Sequence, residues 1–497
     1  MCWRAAPKYS RAARPALCVA PEHVTNGLCD VFSKLVGCLN LVGTESHMEN
    51  VSAPHCRVAV NYVEDINQFG QKQLDSKQPR EDYKELLELV QLFIANRNAL
   101  LSPKLLILSN IKTCKTQAKS QSKSAKTAIV MLNMGGPQKV DQVGDYLHRI
   151  MTDRDMIQLP VQSRLGPWIA KRRTEEVQKK YMEIGGGSPI YKWTDLQGTL
   201  LCKALDEKLP KSAPHKHYIG FRYVHPFTEE ALEEMERDGV ERAVIFSQYP
   251  QYSCATSGSS FNTIADYYKN RSIPFNIQFS VIDRWPTHPL LAQVFAERIK
   301  EKLANFAEHI RNSVLIMFTA HSLPLKAVSR GDTYPHEVAA TVAATMTALN
   351  VPNPHRLVWQ SKVGPLPWLE PYTDDAIKAY PKKGVKNMIL VPIAFVNEHI
   401  ETLHELDIEY CQDVAKKAGV QQIERAAAPN DHPTFIAAMA DVVAKHMEHG
   451  PRLGQQFLTR CPHCTSGRCY QSKEFFKKLC RAEHESVTHK VQDASSV

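Results

Sequence analysis

The sequence predicts an α/β protein with two similar lobes, each a parallel β-sheet flanked by helices. From about Thr127 onward, short apolar runs alternate with longer amphipathic stretches, a pattern typical of parallel strands joined by helices. Seven such runs are more than one compact sheet requires, so we expect a division near residue 300. The candidate strands are Ala128–Leu132, Tyr218–Phe221, Ala243–Phe246, Phe279–Ile282, Val314–Phe318, Leu357–Trp359 and Met388–Phe395.

The composition is that of a globular protein with a large core. The chain has 497 residues, of which 43% are hydrophobic and 23% charged, with a formal net charge of +9. Residues 1–127 contain 17 Lys or Arg against 11 Asp or Glu and so supply +6 of that charge. The remaining part has little basic excess, and no nucleic-acid partner is predicted. No apolar run approaches the ~20 residues of a spanning helix, so any membrane contact should be peripheral.

The N-terminal region differs from the rest of the chain. Met1–Ala20 contains four basic residues and no acidic residue, which is typical of a mitochondrial transit peptide. Lys112–Lys126 contains five lysines and almost nothing apolar, as expected for a linker. We therefore predict a transit peptide with a poorly defined extension and linker at 1–126, lobes at 127–300 and 301–452, and a cysteine-containing tail at 453–497.

An acidic stretch follows the last candidate strand. If Glu398–Tyr410 is α-helical, four carboxylates fall on one stripe with His399 beside them. An ordinary solvated face is the alternative interpretation. However, no Lys or Arg lies among these carboxylates to offset their repulsion, so we interpret the stripe as a path for a cation or a proton. Its members are Glu398, Glu401, Glu405 and Glu409.

Aromatic, cationic and titratable residues follow the candidate strands. In parallel sheets these strand ends meet at one edge, and this inventory suits a flat, largely apolar ligand with acidic groups. His321 follows the apolar run VLIMFTA, where an imidazole near carboxylates suits proton abstraction, although a structural histidine is the alternative. Neither G-x-G-x-x-G nor the P-loop lysine pattern occurs, which argues against a nucleotide site.

Cysteine spacing near the C-terminus predicts a metal site. The thirteen cysteines are otherwise scattered, as expected in a reducing compartment. Cys461, Cys464 and Cys469 form a C-x2-C pair with a third cysteine nearby, one ligand short of a four-cysteine site. On spacing alone the fourth ligand is Cys254, Cys411 or Cys480, and zinc and an iron–sulfur cluster remain equal choices.

From about Thr127 to Lys478 the chain resembles the ferrochelatases of animal mitochondria, the terminal enzymes of haem synthesis. The segments that carry the resemblance are MLNMGGP, IAKRRT, IGGGSPI, YIGFRYVHP, QYPQYSC, IDRWPTH, AHSLP, LVWQSKVGP and HIETLHELDIEY. The resemblance implies a chelatase-like fold of two Rossmann-like lobes with a porphyrin cleft between them. It also implies insertion of Fe2+ into protoporphyrin IX to form protohaem, by a homodimer in peripheral contact with the matrix side of the mitochondrial inner membrane. A non-catalytic porphyrin or metal carrier of the same fold is the alternative.

The resemblance also implies roles for individual residues. His321 matches the proton-accepting base, His288 and Asp441 match further active-site positions, and Glu401 heads the acidic path. The residues that match substrate-binding positions are Met134, Arg173, Tyr181, Ser188, Arg222, Tyr223, Trp368 and Phe395. The residues that match the ligands of a [2Fe-2S] cluster are Cys254, Cys461, Cys464 and Cys469.

Overall fold

Two parallel four-stranded sheets form the framework. The computed structural model describes residues 126–269, 271 and 277–493, the last thirteen of these as helix backbone only. The first sheet, in the order β2-β1-β3-β4, contains β1 (Thr127–Asn133), β2 (His215–Phe221), β3 (Arg242–Ser247) and β4 (Gln278–Ile282). The second sheet, in the order β6-β5-β7-β8, contains β5 (Leu315–His321), β6 (His355–Gln360), β7 (Asn387–Pro392) and β8 (Gln422–Arg425). Both sheets are flanked by helices, which confirms the predicted fold class.

The α-helices connect and cover the strands. They are α1 (Val143–Thr152), α2 (Gln162–Glu183), α3 (Ile190–Lys208), α4 (Thr228–Arg237), α5 (Ser259–Lys269), α6 (Pro289–Leu303), α7 (Leu325–Arg330), α8 (Tyr334–Leu349), α9 (Thr373–Ala379), α10 (Ala415–Ala418), α11 (Pro433–His449), α12 (Gln455–Leu458) and α13 (Gly467–Asp493). Two π-helices, Cys254–Gly258 and Glu401–Val414, interrupt this pattern. No helix among the described residues has both the length and the apolarity to cross a bilayer.

All seven predicted strands are present, and one strand was missed. β8 reads QIER and is half-buried throughout, so it gives no apolar run. The predicted transit peptide and nearly all of the linker lie outside the described residues. The predicted lobe boundaries stay predictions; the first sheet ends at Ile282 and the second begins at Leu315.

One hydrophobic core is shared by both sheets. It includes Met131 and Phe246 from the first sheet and Phe318 and Val391 from the second, all fully buried. Helices α3, α6, α8 and α11 contribute side chains to the same core. Strands covered on both faces read as continuous apolar runs, which explains why most of them were visible in the sequence.

The acidic stretch is not an α-helix, so that prediction is wrong. Glu401–Val414 is a π-helix, whose i→i+5 hydrogen bonds make each turn wider than an α-helical turn. Glu398 precedes this helix, and its Oε1 lies 2.7 Å from Nη1 of Arg425. It therefore stands apart from the other three carboxylates of the stripe.

Arg425 fastens the π-helix to β8. Its Nε and Nη2 donate to the two carboxylate oxygens of Asp407 at 2.5 and 2.7 Å, while Nη1 donates to Glu398. Burial opposes ionisation of Glu398, but Arg425 and the Ala428 N–H hold the pKa of that carboxyl below its usual value. One guanidinium thus pairs with two carboxylates, Glu398 before Glu401 in the chain and Asp407 after it.

We predict that Arg425→Met lowers the free energy of unfolding by about 3–5 kcal/mol, because it leaves Glu398 buried and uncompensated. Lys378→Met is the matched control, since Lys378 pairs with Asp374 at an exposed site, where a loss of at most about 1 kcal/mol is expected. Urea denaturation measures both; equal losses in the two variants would contradict this role of Arg425.

Candidate active site

The carboxyl ends of β5 and β6 meet the first turns of the π-helix. His321 and Gln360 are the last residues of these strands and are paired in register. The side-chain amide of Gln360 donates to the Glu401 carbonyl at 3.2 Å and to Oε2 of Glu405 at 3.0 Å. Its own carbonyl accepts from the Thr319 hydroxyl at 2.8 Å. The sheet edge therefore holds the acidic residues in place beside His321.

His321 is oriented to accept a proton. Its Nδ1 lies 2.6 Å from the Ser322 carbonyl oxygen, which can only accept, so Nδ1 carries a hydrogen and Nε2 is the nitrogen with the lone pair in the neutral ring. The ring is half-buried, and its centroid lies 6.2 Å from that of Trp368. Nε1 of Trp368 is buried and has no hydrogen-bond partner among the described residues. A polar group that enters here meets an imidazole acceptor and an indole donor.

Glu401 presents a buried carboxylate oxygen. Oε2 has no hydrogen-bond partner in the described part of the chain. Burial raises the pKa of four surrounding phenols, and the charge of Glu401 adds to each shift, so these side chains stay neutral hydroxyls. The four are Tyr146, Tyr181, Tyr249 and Tyr334. Oε2 of Glu401 is therefore a buried carboxylate oxygen that no donor in the described residues compensates.

Glu405 is the next acidic residue along the π-helix. It accepts hydrogen bonds from the Ser361 N–H and the Tyr410 hydroxyl, both at 2.8 Å, in addition to that from Gln360. Burial, and then the charge of Glu401, raise the pKa of Glu405, whereas His321 acts in the opposite sense. Glu405 therefore lies within electrostatic range of both Glu401 and His321.

Glu409 and His399 occupy different surroundings. Oε1 of Glu409 lies 2.7 Å from Nζ of Lys180, so this outer carboxylate is paired with a cation. His399 donates from Nδ1 to the Asn397 carbonyl at 2.9 Å, and its ring centroid lies 4.8 Å from that of Phe395. The carboxylates of the predicted stripe thus differ in their partners, and Glu401 is the one with the fewest.

His288 and Asp441 form a separate pair. Nε2 of His288 lies 2.9 Å from Oδ2 of Asp441, which Lys445 also contacts at 2.7 Å. Burial lowers the pKa of His288, and the hydrogen bond from Lys445 lowers that of Asp441. No hydrogen bond or ion pair joins this pair to His321 or Glu401 within the described residues.

Four predicted substrate-binding residues lie on the first lobe. The Met134 N–H donates to the Tyr249 hydroxyl at 3.0 Å, and Tyr181 is fully buried, which places both near Glu401. Ser188 packs against Gly136, where an added Cβ would lie 2.8 Å from Oγ of Ser188. Arg173 on α2 is half-buried and makes no hydrogen bond or ion pair with the part of the chain that is described.

Arg222 and Tyr223 lie on a cavity beside the cysteine tail. Nη2 of Arg222 and the Tyr223 hydroxyl lie 2.6 and 2.9 Å from the same oxygen of Asp153. Both line a cavity of about 970 Å³ to which the cysteine tail also contributes. The structure therefore places these two predicted substrate residues beside the cysteines.

All four predicted cluster cysteines line this same cavity as free thiols: Cys254, Cys461, Cys464 and Cys469. The hydrogen bond from Cys254 lowers the pKa of Cys461 to about 6 and raises that of Cys254, while burial raises the pKa of Cys469 to about 11. Of the three candidates for the fourth ligand, Cys254 lies on the cavity, whereas Cys411 and Cys480 pack in apolar clusters. No group of three or more His, Cys, Asp or Glu within the described ranges is drawn together tightly enough to hold a metal ion.

The fold and the site together define an α/β protein that gathers histidine, carboxylate and aromatic side chains at the carboxyl edge of its sheets. The sequence model of the ferrochelatase family matches residues 126–447. "Ferrochelatase, mitochondrial" of Drosophila melanogaster is 65% identical over 355 residues, which cover 71% of this chain and 92% of that protein. The proteins of the same description from Gallus gallus and Homo sapiens are each 54% identical over 362 residues, covering 73% of this chain and 90% and 86% of those proteins.

The chain belongs to the ferrochelatase family. It is accordingly a lyase of haem synthesis that inserts iron into porphyrin, and nothing observed favours a non-catalytic carrier. An alignment with the solved structure of SirB from Bacillus subtilis with Fe3+ has a TM-score of 0.38 and 12% identity, covering 64% of this chain and 95% of that one. That similarity is too low to bear on fold or function.

Proposed function

We propose that Fe2+ enters protoporphyrin IX beside His321 and Glu401, with His321 as the proton-accepting base and Glu401 as the first carboxylate to receive the proton. A free porphyrin carries two pyrrole N–H protons, and both must leave when the metal binds. The observation that carries the proposal is the buried, unpaired Oε2 of Glu401, whose backbone carbonyl is bonded to Gln360, the register partner of His321. A protein that only carries porphyrin does not need a buried carboxylate oxygen without a hydrogen-bond partner, because burying it costs free energy.

The porphyrin itself is proposed to lie against the aromatic and apolar residues around this pair. Trp368 beside His321 and Phe395 beside His399 supply flat faces, and Met134 contributes from the opposite lobe. Contacts of this kind can bend the macrocycle so that nitrogen lone pairs turn toward the metal, at roughly 1–5 kcal/mol of strain. Arg222 and Tyr223 remain predicted to line the porphyrin cleft, although Arg222 already forms an ion pair with Asp153.

The propionates are assigned to Arg173, Tyr181 and Ser188. Arg173 supports this assignment because the residue is half-buried and its guanidinium has no partner in the described part of the protein. A guanidinium pairs with a carboxylate through two parallel hydrogen bonds. His288 and Asp441 keep the active-site role implied by the resemblance, and their 2.9 Å contact suits proton exchange.

A [2Fe-2S] cluster is proposed for the cysteine-lined cavity. Four thiols on one cavity match the four-cysteine ligand set of such clusters, and the hydrogen bond between Cys254 and Cys461 brings two of the sulfur atoms together. When bound, the cluster would accept or release one electron and would tie the tail to the first lobe. Zinc fits the same ligand types and is the competing occupant.

We place the protein in the mitochondrion, in peripheral contact with the matrix side of the inner membrane and as a homodimer, after removal of a transit peptide. Near the start of α2, Val161, Leu165 and Trp168 have exposed fractions of 64%, 37% and 57%, with Arg164 and Arg172 among them. Apolar side chains mixed with basic ones are typical of segments that rest on anionic lipid.

Flotation with cardiolipin vesicles tests the membrane contact, and failure to float would contradict it. Sedimentation velocity tests the homodimer, and a monomer in solution would contradict that assignment.

We predict that His321→Ala reduces iron insertion by at least about 100-fold while protoporphyrin still binds, because the imidazole removes protons and the apolar walls supply affinity. Anaerobic haem formation and porphyrin fluorescence titration measure the two properties. His449→Ala, which removes an 84% exposed imidazole, is the control and should leave both unchanged. Turnover of His321→Ala at the wild-type rate would eliminate His321 as the base.

For the tail, we predict that the purified protein is reddish and contains iron and acid-labile sulfide, and that Cys254→Ser removes both as completely as Cys469→Ser. All four thiols are needed to complete the ligand set. Cys202→Ser, at a buried thiol outside the cavity, should keep the colour. Stoichiometric zinc without sulfide would replace the cluster assignment.

A further inference from the structure

A histidine in the π-helix bridges two carboxylates on different helices. Nε2 of His404 lies 2.7 Å from Oε2 of Glu183 at the end of α2, and Nδ1 lies 3.2 Å from Oε1 of Glu409. The His404 side chain is only 7% exposed, whereas that of Glu183 is 55% exposed. His404 therefore links the acidic stripe to a carboxylate in solvent.

This arrangement suits proton transfer through the ring. A neutral imidazole carries a hydrogen on one nitrogen and a lone pair on the other. It can accept a proton at Nδ1 from Glu409 and release one from Nε2 to Glu183. Exchange of tautomers then returns the ring to its starting form, so one proton passes and nothing else changes.

The outer end of the stripe is better suited to protons leaving than to iron entering. Oε1 of Glu409 already accepts from the Lys180 ammonium at 2.7 Å, and Lys180 also lies 4.0 Å from Glu176. A divalent cation at Glu409 would be repelled by that ammonium. A proton that moves on to His404 leaves the Lys180–Glu409 pair intact.

The stripe continues inward from this point. Glu405 precedes Glu409 by four residues, about one turn of the helix, and Glu401 precedes Glu405 by the same interval. The Tyr410 hydroxyl donates to Glu405 at 2.8 Å. The three carboxylates thus occupy successive turns of the π-helix, and His404, which precedes Glu405 in the same helix, contacts the outermost of them, Glu409.

We propose that His404 and Glu183 form the outlet through which protons released from the porphyrin leave the acidic stripe for solvent. Each Fe2+ that enters displaces two protons, and the site must lose both before the next turnover. The proposal rests on the proposed function of Glu401 and His321. It adds a relay that touches neither porphyrin nor iron.

The test is anaerobic steady-state insertion with His404→Gln and Glu183→Gln. Glutamine keeps hydrogen bonding but cannot pass a proton, so we expect kcat to fall by about tenfold or more in each variant, with porphyrin affinity and Tm unchanged. Added imidazole buffer should restore turnover, since a diffusible base can collect the proton instead. His217→Gln is the matched control, because His217 pairs with Asp195 at 2.9 Å on the surface of the first lobe.

The outcomes separate the outlet from the proposed function. Wild-type turnover in both variants, with Glu401→Gln still inactive, would overturn the outlet and leave the site assignment standing. A loss that imidazole does not restore would also overturn the outlet, because it would mark a structural contact. Full activity in Glu401→Gln would instead contradict the proposed function itself. Glu183 is exposed, so its variant reports on the relay even if His404→Gln fails to fold.

Discussion

The central constraint on this structure is a buried carboxylate oxygen without a partner in the described part of the chain. Keeping Oε2 of Glu401 away from water costs free energy that no hydrogen bond or ion pair at that oxygen returns within the described residues. The surrounding fold has to hold it in place: Gln360 binds the backbone of Glu401, and neutral tyrosine hydroxyls surround its side chain. In the proposed function, this carboxylate receives the protons that leave the porphyrin nitrogens.

The two sheets make that placement possible. The carboxyl ends of parallel strands meet at one edge of the sheet, so His321 at the end of β5 and Gln360 at the end of β6 lie side by side. The π-helix begins there, and its far side is fastened by Arg425 to β8. Cations therefore pair with Glu398 and Glu409, at the two ends of the acidic segment. Glu401, which lies between them, has no such pair among the described residues.

Much of this could be predicted from the sequence, and the exceptions have physical reasons. Strands buried on both faces gave apolar runs, whereas β8 is half-buried and polar and gave none. The π-helix was read as an α-helix because a few carboxylates and apolar residues fit either period. Contacts between distant segments were invisible for a different reason: Glu183 and His404 are 221 residues apart, and spacing alone left three choices for the fourth cysteine ligand.

The most direct measurement is single-turnover insertion, with porphyrin-loaded protein mixed anaerobically with Fe2+ and haem formation followed by absorbance. Glu401→Gln keeps the shape of the side chain and removes its charge, and Glu301→Gln makes the same change at a surface pair with Arg298. We expect unchanged porphyrin binding in both variants, a wild-type insertion rate in Glu301→Gln and a rate lower by about 100-fold or more in Glu401→Gln. Insertion by Glu401→Gln at the wild-type rate would contradict the role of Glu401 as the first carboxylate to receive the proton.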